Sequence, residues 1–280
     1  MKLSICTISF RHQLTSLEHL AEWARRSGFD GIELWGVHAI GLEQQPQYDA
    51  KWLRSMGLSI SMLSDYLPIV GDKHLGQQKC EHICRLANYW QTNKVRTFAG
   101  HQASRSVTAS ERQAMVNRLR AICHYAEQQG LEVLVETHPN TLADTPASTW
   151  QLLQEVDHPV LKLNFDILHV WEAGAEPIDF HHQVAEYVGH YHLKNIASRK
   201  QLDVFSPDNV YSPAGTRHGM VPLFDGAFDY RRFLAQIGLE ADKSASLEWF
   251  GHDVKSTLLQ DKAAIDQLRR YTPQHHAVVV

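Results

Sequence analysis

Eight short runs rich in β-branched and apolar residues recur along the chain, at about 3–9, 31–35, 58–63, 94–98, 131–136, 160–166, 188–193 and 244–248. Helical patterns lie between them, and parallel strands require that kind of crossover. The clearest helix is expected to open at Thr15, with Glu18 three residues later as a capping box, and to end at Gly28. Leu17, Leu20, Ala21 and Ala24 then share one face. A second helix opens at Ser110 with Gln113 and ends at Gly130; a third begins Thr145-Pro146, a cap followed by proline at the first helical position. Eight strands alternating with helices, with no linker, repeat or low-complexity stretch, predict an α/β fold: a single (β/α)8 TIM barrel rather than two doubly wound domains. The barrel is expected over residues 1–272, with 273–280 a loose tail.

The 280 residues are 44% apolar and 21% charged, enough to bury a large core, and no window of about 18 apolar residues could span a membrane. A net charge of -4 lacks the basic excess of a protein that tracks a phosphate backbone, so neither nucleic acid nor membrane is expected as a partner. No export signal precedes Arg11-His12, and four thinly spread cysteines, Cys6, Cys80, Cys84 and Cys123, suit buried thiols in a reducing cytoplasm. Oligomeric state is left open, a homo-oligomer included. The unusual count is 18 histidines.

Alternate residues of a barrel strand face the helices or the barrel axis. In the seventh run Tyr191 and Leu193 oppose His190, His192 and Lys194; in the sixth, Leu161, Leu163 and Phe165 oppose Lys162, Asn164 and Asp166. In the eighth, Ala245, Leu247 and Trp249 oppose Ser244, Ser246 and Glu248; in the fourth, Val95 and Thr97 oppose Lys94 and Arg96. The apolar parity must cover the helices, so the polar parity faces inward. A barrel filled for stability alone carries Val, Ile and Leu there, and unpaired buried charges cost several kcal/mol each. Such an interior calls for an ion or a ligand.

Four ligand-type residues fall at the C-terminal ends of the last four runs: Glu136, Asp166, His192 and Glu248. Three carboxylates and one imidazole form an oxygen-rich set suited to Mn2+, Mg2+ or Co2+, at the end of the fold where active sites sit. The competing reading is a set of separate ion-paired surface residues. His138 and His169 follow Glu136 and Asp166 closely, as rim residues or as supports for the ligands. Arg96 and Lys194 point inward, to hold a substrate carboxylate or to balance the acidic ligands. Residues 195–229 exceed an ordinary loop and read as a lid carrying Phe205 and Tyr211, with a subunit contact as the alternative. Tyr66 projects toward the same end. His12 and Glu33 are rim contributors without assigned roles; His181, His182, His275 and His276 are read as solvated, and Trp23, Trp52 and Trp150 as core fillers.

These residues lie in segments that closely resemble the 3-dehydroshikimate dehydratases of the catecholate-siderophore (petrobactin) type, within the xylose-isomerase-like barrel superfamily. The resemblance is carried by Cys6-Thr-Ile-Ser-Phe-Arg-His-Gln-Leu14, Gly31-Ile-Glu-Leu-Trp-Gly36, Ser64-Asp-Tyr-Leu67, Thr92-Asn-Lys-Val-Arg-Thr-Phe-Ala-Gly100, Glu136-Thr-His-Pro-Asn-Thr141, Asn209-Val-Tyr211, Gly219-Met-Val-Pro-Leu-Phe224 and Ser246-Leu-Glu-Trp-Phe-Gly-His252. It implies a divalent ion, manganese above all, on Glu136, Asp166, His192 and Glu248. It also implies His138 and His169 as proton-transfer residues, with Tyr66, Arg96, Lys194, Phe205, Tyr211 and Phe250 around the ring. The implied reaction is dehydration of 3-dehydroshikimate to 3,4-dihydroxybenzoate through a metal-stabilised enolate, with His138 preferred as base. Leu193, where an aromatic is familiar, falls on the helix-facing parity. The rivals are a divalent-metal sugar isomerase or epimerase on the same barrel, and a non-catalytic metal-binding sensor.

Overall fold

The computed structural model describes residues 1–239 and 242–271. Each of the eight runs forms a barrel strand. The first seven are β1 (Lys2–Cys6), β2 (Gly31–Trp35), β3 (Ser59–Ser64), β4 (Lys94–Thr97), β5 (Glu132–Glu136), β6 (Leu161–Asp166) and β7 (Val188–Leu193). Two-residue strands β8 (Asn195–Ile196) and β9 (Met220–Val221) make a separate antiparallel ribbon, and β10 (Ser244–Leu247) completes the barrel. The barrel strands pair in parallel, β10 lying between β7 and β1 to close the cylinder. Closure leaves none of the eight barrel strands with an unpaired edge. This architecture is the single (β/α)8 barrel that the alternation predicts; the expected tail, with His275 and His276, lies outside the described residues.

Register brings the polar parity into layers. Glu136 stands opposite Asn164, Asn164 opposite His190, and His192 lies between Asp166 and Ser246. Asn164, Asp166, His190, His192 and Ser246 are wholly enclosed. On the other parity Leu161, Leu163, Phe165, Leu193, Ala245 and Leu247 pack into the apolar layer under the helices. At the lower end of the barrel, Lys94 reaches across to the Gly189 carbonyl (2.6 Å) and the Ser244 hydroxyl (3.2 Å).

Two helix starts differ from expectation. Ser16, rather than Thr15, caps the helix Leu17–Arg26, its hydroxyl accepting from the His19 amide. The next box is Thr108 with Glu111, two residues before Ser110, and it opens the helix Ala109–Gln128. Each start offers neighbouring hydroxyl residues, and the register of the buried face chooses between them. Thr145 caps the helix Pro146–Val156 as expected. All four cysteines are free and buried. Trp150 is 41% exposed and so is not a core filler, whereas Trp23 and Trp52 pack against the core. His181 is buried, not solvated: its Nε2 meets the Tyr191 hydroxyl at 2.8 Å, and burial pushes its pKa down to about 4. His182 is exposed. Among the described residues no helix is long and apolar enough to cross a membrane.

Candidate metal centre and active site

The parallel strands end at a common rim, and Glu136, Asp166, His192 and Glu248 converge there. Asp166 closes β6 and caps the following short helix, Oδ1 accepting from the His169 amide at 3.2 Å, which leaves Oδ2 turned to the interior. Thr137 clamps the Asp166 backbone from both sides, at 2.9 and 3.1 Å. Asn164 donates to Glu136 Oε2 at 3.2 Å. One residue past β10, Glu248 is fixed by its amide bond to the Leu193 carbonyl, 3.0 Å.

His192 Nδ1 is the centre of the group. It lies 3.5 Å from Glu248 Oε2, 3.6 Å from Glu136 Oε1 and 3.9 Å from Asp166 Oδ2, and this buried nitrogen has no hydrogen-bond partner. Across the ring, Nε2 lies 2.9 and 3.1 Å from the two oxygens of Glu33, which also takes the Ser64 hydroxyl. A carboxylate only accepts, so Nε2 carries a proton toward Glu33. Burial opposes charge on the ring, yet Glu248, Glu33 and Glu136 hold the His192 pKa well above its ordinary value, so Nδ1 would face the three carboxylates through a proton or through a cation that takes its place. Oxygen-rich donors around one free imidazole nitrogen fit a divalent cation.

The local charges answer one another. Lys194 Nζ donates to Asp166 Oδ2 and, at 2.7 Å, to Glu248 Oε2; Arg96 Nε lies 3.1 Å from Glu136 Oε2. Of the two roles open to Arg96 and Lys194, these contacts are those of counter-ions to the acidic ligands. Burial opposes ionisation of Glu136, yet Arg96 and His192 hold its carboxyl well below the usual range. Burial likewise opposes the charge on Lys194, and Asp166 and Glu248 hold it well above its ordinary value. Arg96 Nη1 remains buried without a hydrogen-bond partner, and the guanidinium carbon lies 5.2 and 5.0 Å from the ring centroids of Tyr66 and Phe98.

The two histidines stand side by side, ring centroids 4.5 Å apart, with Phe98 stacked on His138 at 4.4 Å. His138 Nδ1 lies 2.8 Å from the Pro139 carbonyl and His169 Nδ1 2.7 Å from Glu172 Oε2. Both acceptors force the proton onto Nδ1, so each Nε2 is the working nitrogen. Burial, with His169 adding to it, pushes the His138 pKa down to about 3. The 195–229 segment covers this group: a 3-10 turn Arg199–Phe205 and a helical turn Pro207–Tyr211 bring in Phe205 and Tyr211. Tyr211 and Tyr66 meet hydroxyl to hydroxyl, and Phe205 and Phe250 flank Lys194 Nζ at 5.7 and 5.9 Å. Inside is a cavity of about 40 Å³, adjoining one of about 320 Å³ that shares His138, His169 and Phe205. A cleft of about 350 Å³ beside Phe10 and Leu42 has no carboxylate in its wall, and the chemistry is not there.

The twelve residues assigned a metal, proton-transfer or substrate role all lie at this rim, and one rim candidate without a role does not. His12 is exposed and takes no part. The sequence reading left Glu33 without a role and did not single out Glu172. Glu33 alternates with Ile32 and Leu34 in β2, the same parity signal that marked the ligands. Glu172, three residues after His169 on a short helix, gave no signal beyond that spacing.

Residues 21–274 match the model of the xylose isomerase-like TIM barrel family. The chain belongs to that family. It is 49% identical over 264 residues to the 3-dehydroshikimate dehydratase of Bacillus anthracis, covering 92% of this chain and 94% of that one. The crystal structure described as the probable 3-dehydroshikimate dehydratase AsbF of petrobactin synthesis, also from Bacillus anthracis, superposes with a TM-score of 0.92 at 48% identity, covering 95% and 99% of the two chains. The IolI protein, solved with a zinc atom, is similar over 98% of this chain and all of its own with a TM-score of 0.77; at 16% identity that likeness speaks to the fold alone.

The carboxylate behind His192 carries a prediction. Glu33→Gln places an amide that both donates and accepts against Nε2, and where it donates, the ring proton moves to Nδ1 and blocks the free lone pair. Equilibrium dialysis with Mn2+ should show affinity lowered about 10- to 100-fold, the usual cost of losing such a support. Unchanged affinity would mean that Glu33 does not set the tautomer.

Proposed function

We infer that this chain is a 3-dehydroshikimate dehydratase, converting 3-dehydroshikimate to 3,4-dihydroxybenzoate and water within one catalytic domain, residues 1–272. The observation that carries the reading is a pair of adjacent imidazoles beside the cluster of Glu136, Asp166 and His192, with Glu248 3.5 Å from His192 Nδ1, in a chain 49% identical to a dehydratase of that substrate. A divalent ion held by Glu136, Asp166, His192 and Glu248, manganese in this reading, supplies Lewis-acid stabilisation of negative charge.

The chain's own residues do the rest. The unpartnered Arg96 Nη1 receives the substrate carboxylate, since charge-assisted hydrogen bonds hold such groups best. His138 Nε2 takes the proton alpha to the ketone. His169, whose Nδ1–H is anchored on Glu172, takes a proton from solvent at Nε2 and passes it to the beta-hydroxyl, which departs as water. Enolisation then gives the aromatic ring. Phe205 and Phe250 keep water from Lys194, and Tyr66 and Tyr211 close the carboxylate side.

The proposed location is the cytoplasm, which suits four buried free thiols. Similarity to a protein of petrobactin synthesis favours siderophore supply over aromatic catabolism as the product's use. The test is a near-ultraviolet scan for catechol after mixing the purified protein with 3-dehydroshikimate and Mn2+. Turnover of a ketose, with no catechol under Mn2+, Mg2+ or Co2+, would select the isomerase instead.

A further inference from the structure

A second convergence of ligand-type side chains lies at the other end of the barrel. His124 and Glu127 stand three residues apart on the helix Ala109–Gln128 and share its exposed face. His158 comes to meet them from the turn after the helix Pro146–Val156. That turn is well held: Asp157 takes the left-handed conformation at φ 44°, and Arg120 donates to the Val156 carbonyl at 3.0 Å and to the Glu155 carbonyl.

His158 Nε2 lies 2.9 Å from His124 Nδ1 and 3.9 Å from Glu127 Oε2, and all three donor atoms fall within 4.8 Å of one another. Tetrahedral zinc with bonds of about 2.0–2.1 Å spaces its donors by about 3.3 Å. The two separations from His158 Nε2 bracket that value and come to it by shifts of roughly half an ångström, while the third, within 4.8 Å, closes by rotation of the exposed His124 and Glu127 side chains. Two imidazoles and one carboxylate are the ligand types that borderline transition-metal dications prefer. Three features oppose binding, the first being the 2.9 Å hydrogen bond between the two imidazoles, which an ion has to replace. The Arg120 cation is nearby, though committed to the two carbonyls. Val160 N–H also approaches His158 Nδ1 at 3.4 Å, a contact at the weak limit that is lost when the ring proton shifts to Nδ1 to free Nε2.

We propose that His124, Glu127 and His158 form a peripheral site for a zinc-class divalent transition-metal ion, its remaining coordination open to water. The site is separate from the active centre. His158 precedes β6 and Asp166 ends it, and a strand of that length spans roughly 20 Å. An ion there ties the helix Ala109–Gln128 to the turn that leads into β6, so binding raises the melting temperature.

The test uses full-length protein loaded with Mn2+ and titrated with Zn2+ in equilibrium dialysis. Wild type is expected to take up one more equivalent per chain than either His124→Ala or Glu127→Ala, whatever ion the active centre holds. Zn2+ should raise the melting temperature of wild type above any rise in the variants. Both substituted residues are exposed, so the variants should fold and keep unchanged dehydration turnover. Equal stoichiometry in all three proteins, or loss in only one variant, would overturn the three-ligand site.

Discussion

Glu248→Gln is expected to bring dehydration to background while the barrel stays folded. The substitution keeps the shape of the side chain and removes one of three negative charges around His192 Nδ1, from which Glu248 Oε2 stands 3.5 Å away. It also removes the charge of the carboxylate that Lys194 meets at 2.7 Å, leaving Asp166 as the remaining anion on the ammonium. Breaking a buried pair outright costs about 3–5 kcal/mol. Here Asp166 still pairs with Lys194 and one carboxylate repulsion is relieved, so the loss falls short of that figure. A domain stable by about 5–15 kcal/mol survives it. Circular dichroism should therefore show a folded protein, metal analysis a weakened or lost ion, and the catechol assay no product. Full activity with undiminished metal content would remove Glu248 from the ligand set.

His138→Ala and His169→Ala should each lower turnover by about 100- to 10,000-fold, the usual contribution of a general acid or base, with metal binding retained. The two nitrogens differ in what stands behind them. His138 Nδ1–H donates to a neutral carbonyl, and burial keeps its ring without a second proton; His169 Nδ1–H donates to the Glu172 carboxylate, which fixes the orientation of its ring. Deuterium exchange from solvent into unreacted 3-dehydroshikimate separates the roles. The His138 variant should fail to exchange the alpha proton, whereas the His169 variant should still exchange it and fail at departure of the hydroxyl. Near wild-type turnover in both would move the acid–base roles to Lys194 or Tyr211. Lys194 is poorly placed for such a role while two carboxylates hold its charge.

Strand parity marks Asp166, His192 and Glu248 as inward-facing, and Glu136 joins them by its place at a strand end, because burial on one face writes an alternation of period two into the sequence. The same alternation marked Glu33, but a single carboxylate between Ile32 and Leu34 had no visible partner until His192 came into view 159 positions away. Short helices leave weaker signals. Thr15 and Ser16 are both competent caps, and only the packing of Leu20, Ala21 and Ala24 chooses the second. His181, beside His182 and an Asp-Phe pair, looks polar in sequence; Tyr191, Phe165 and Phe233 enclose it in the fold.

The sequence by itself determined the alternation of strands and helices, the closed parallel barrel, the inward polar parity and the four residues offered as ligands. Each of these follows from local periodicity and from the cost of burying charge without a partner. Only the tertiary structure decided how those charges are shared. It placed Lys194 between Asp166 and Glu248, turned Arg96 toward Glu136 with one nitrogen left over, and set the tautomers of His192, His138 and His169 through Glu33, the Pro139 carbonyl and Glu172. The physical reason is range. Which face a residue takes is settled by its immediate neighbours in the chain, whereas ion pairs and ring tautomers depend on ångström distances between strands that only barrel closure brings together.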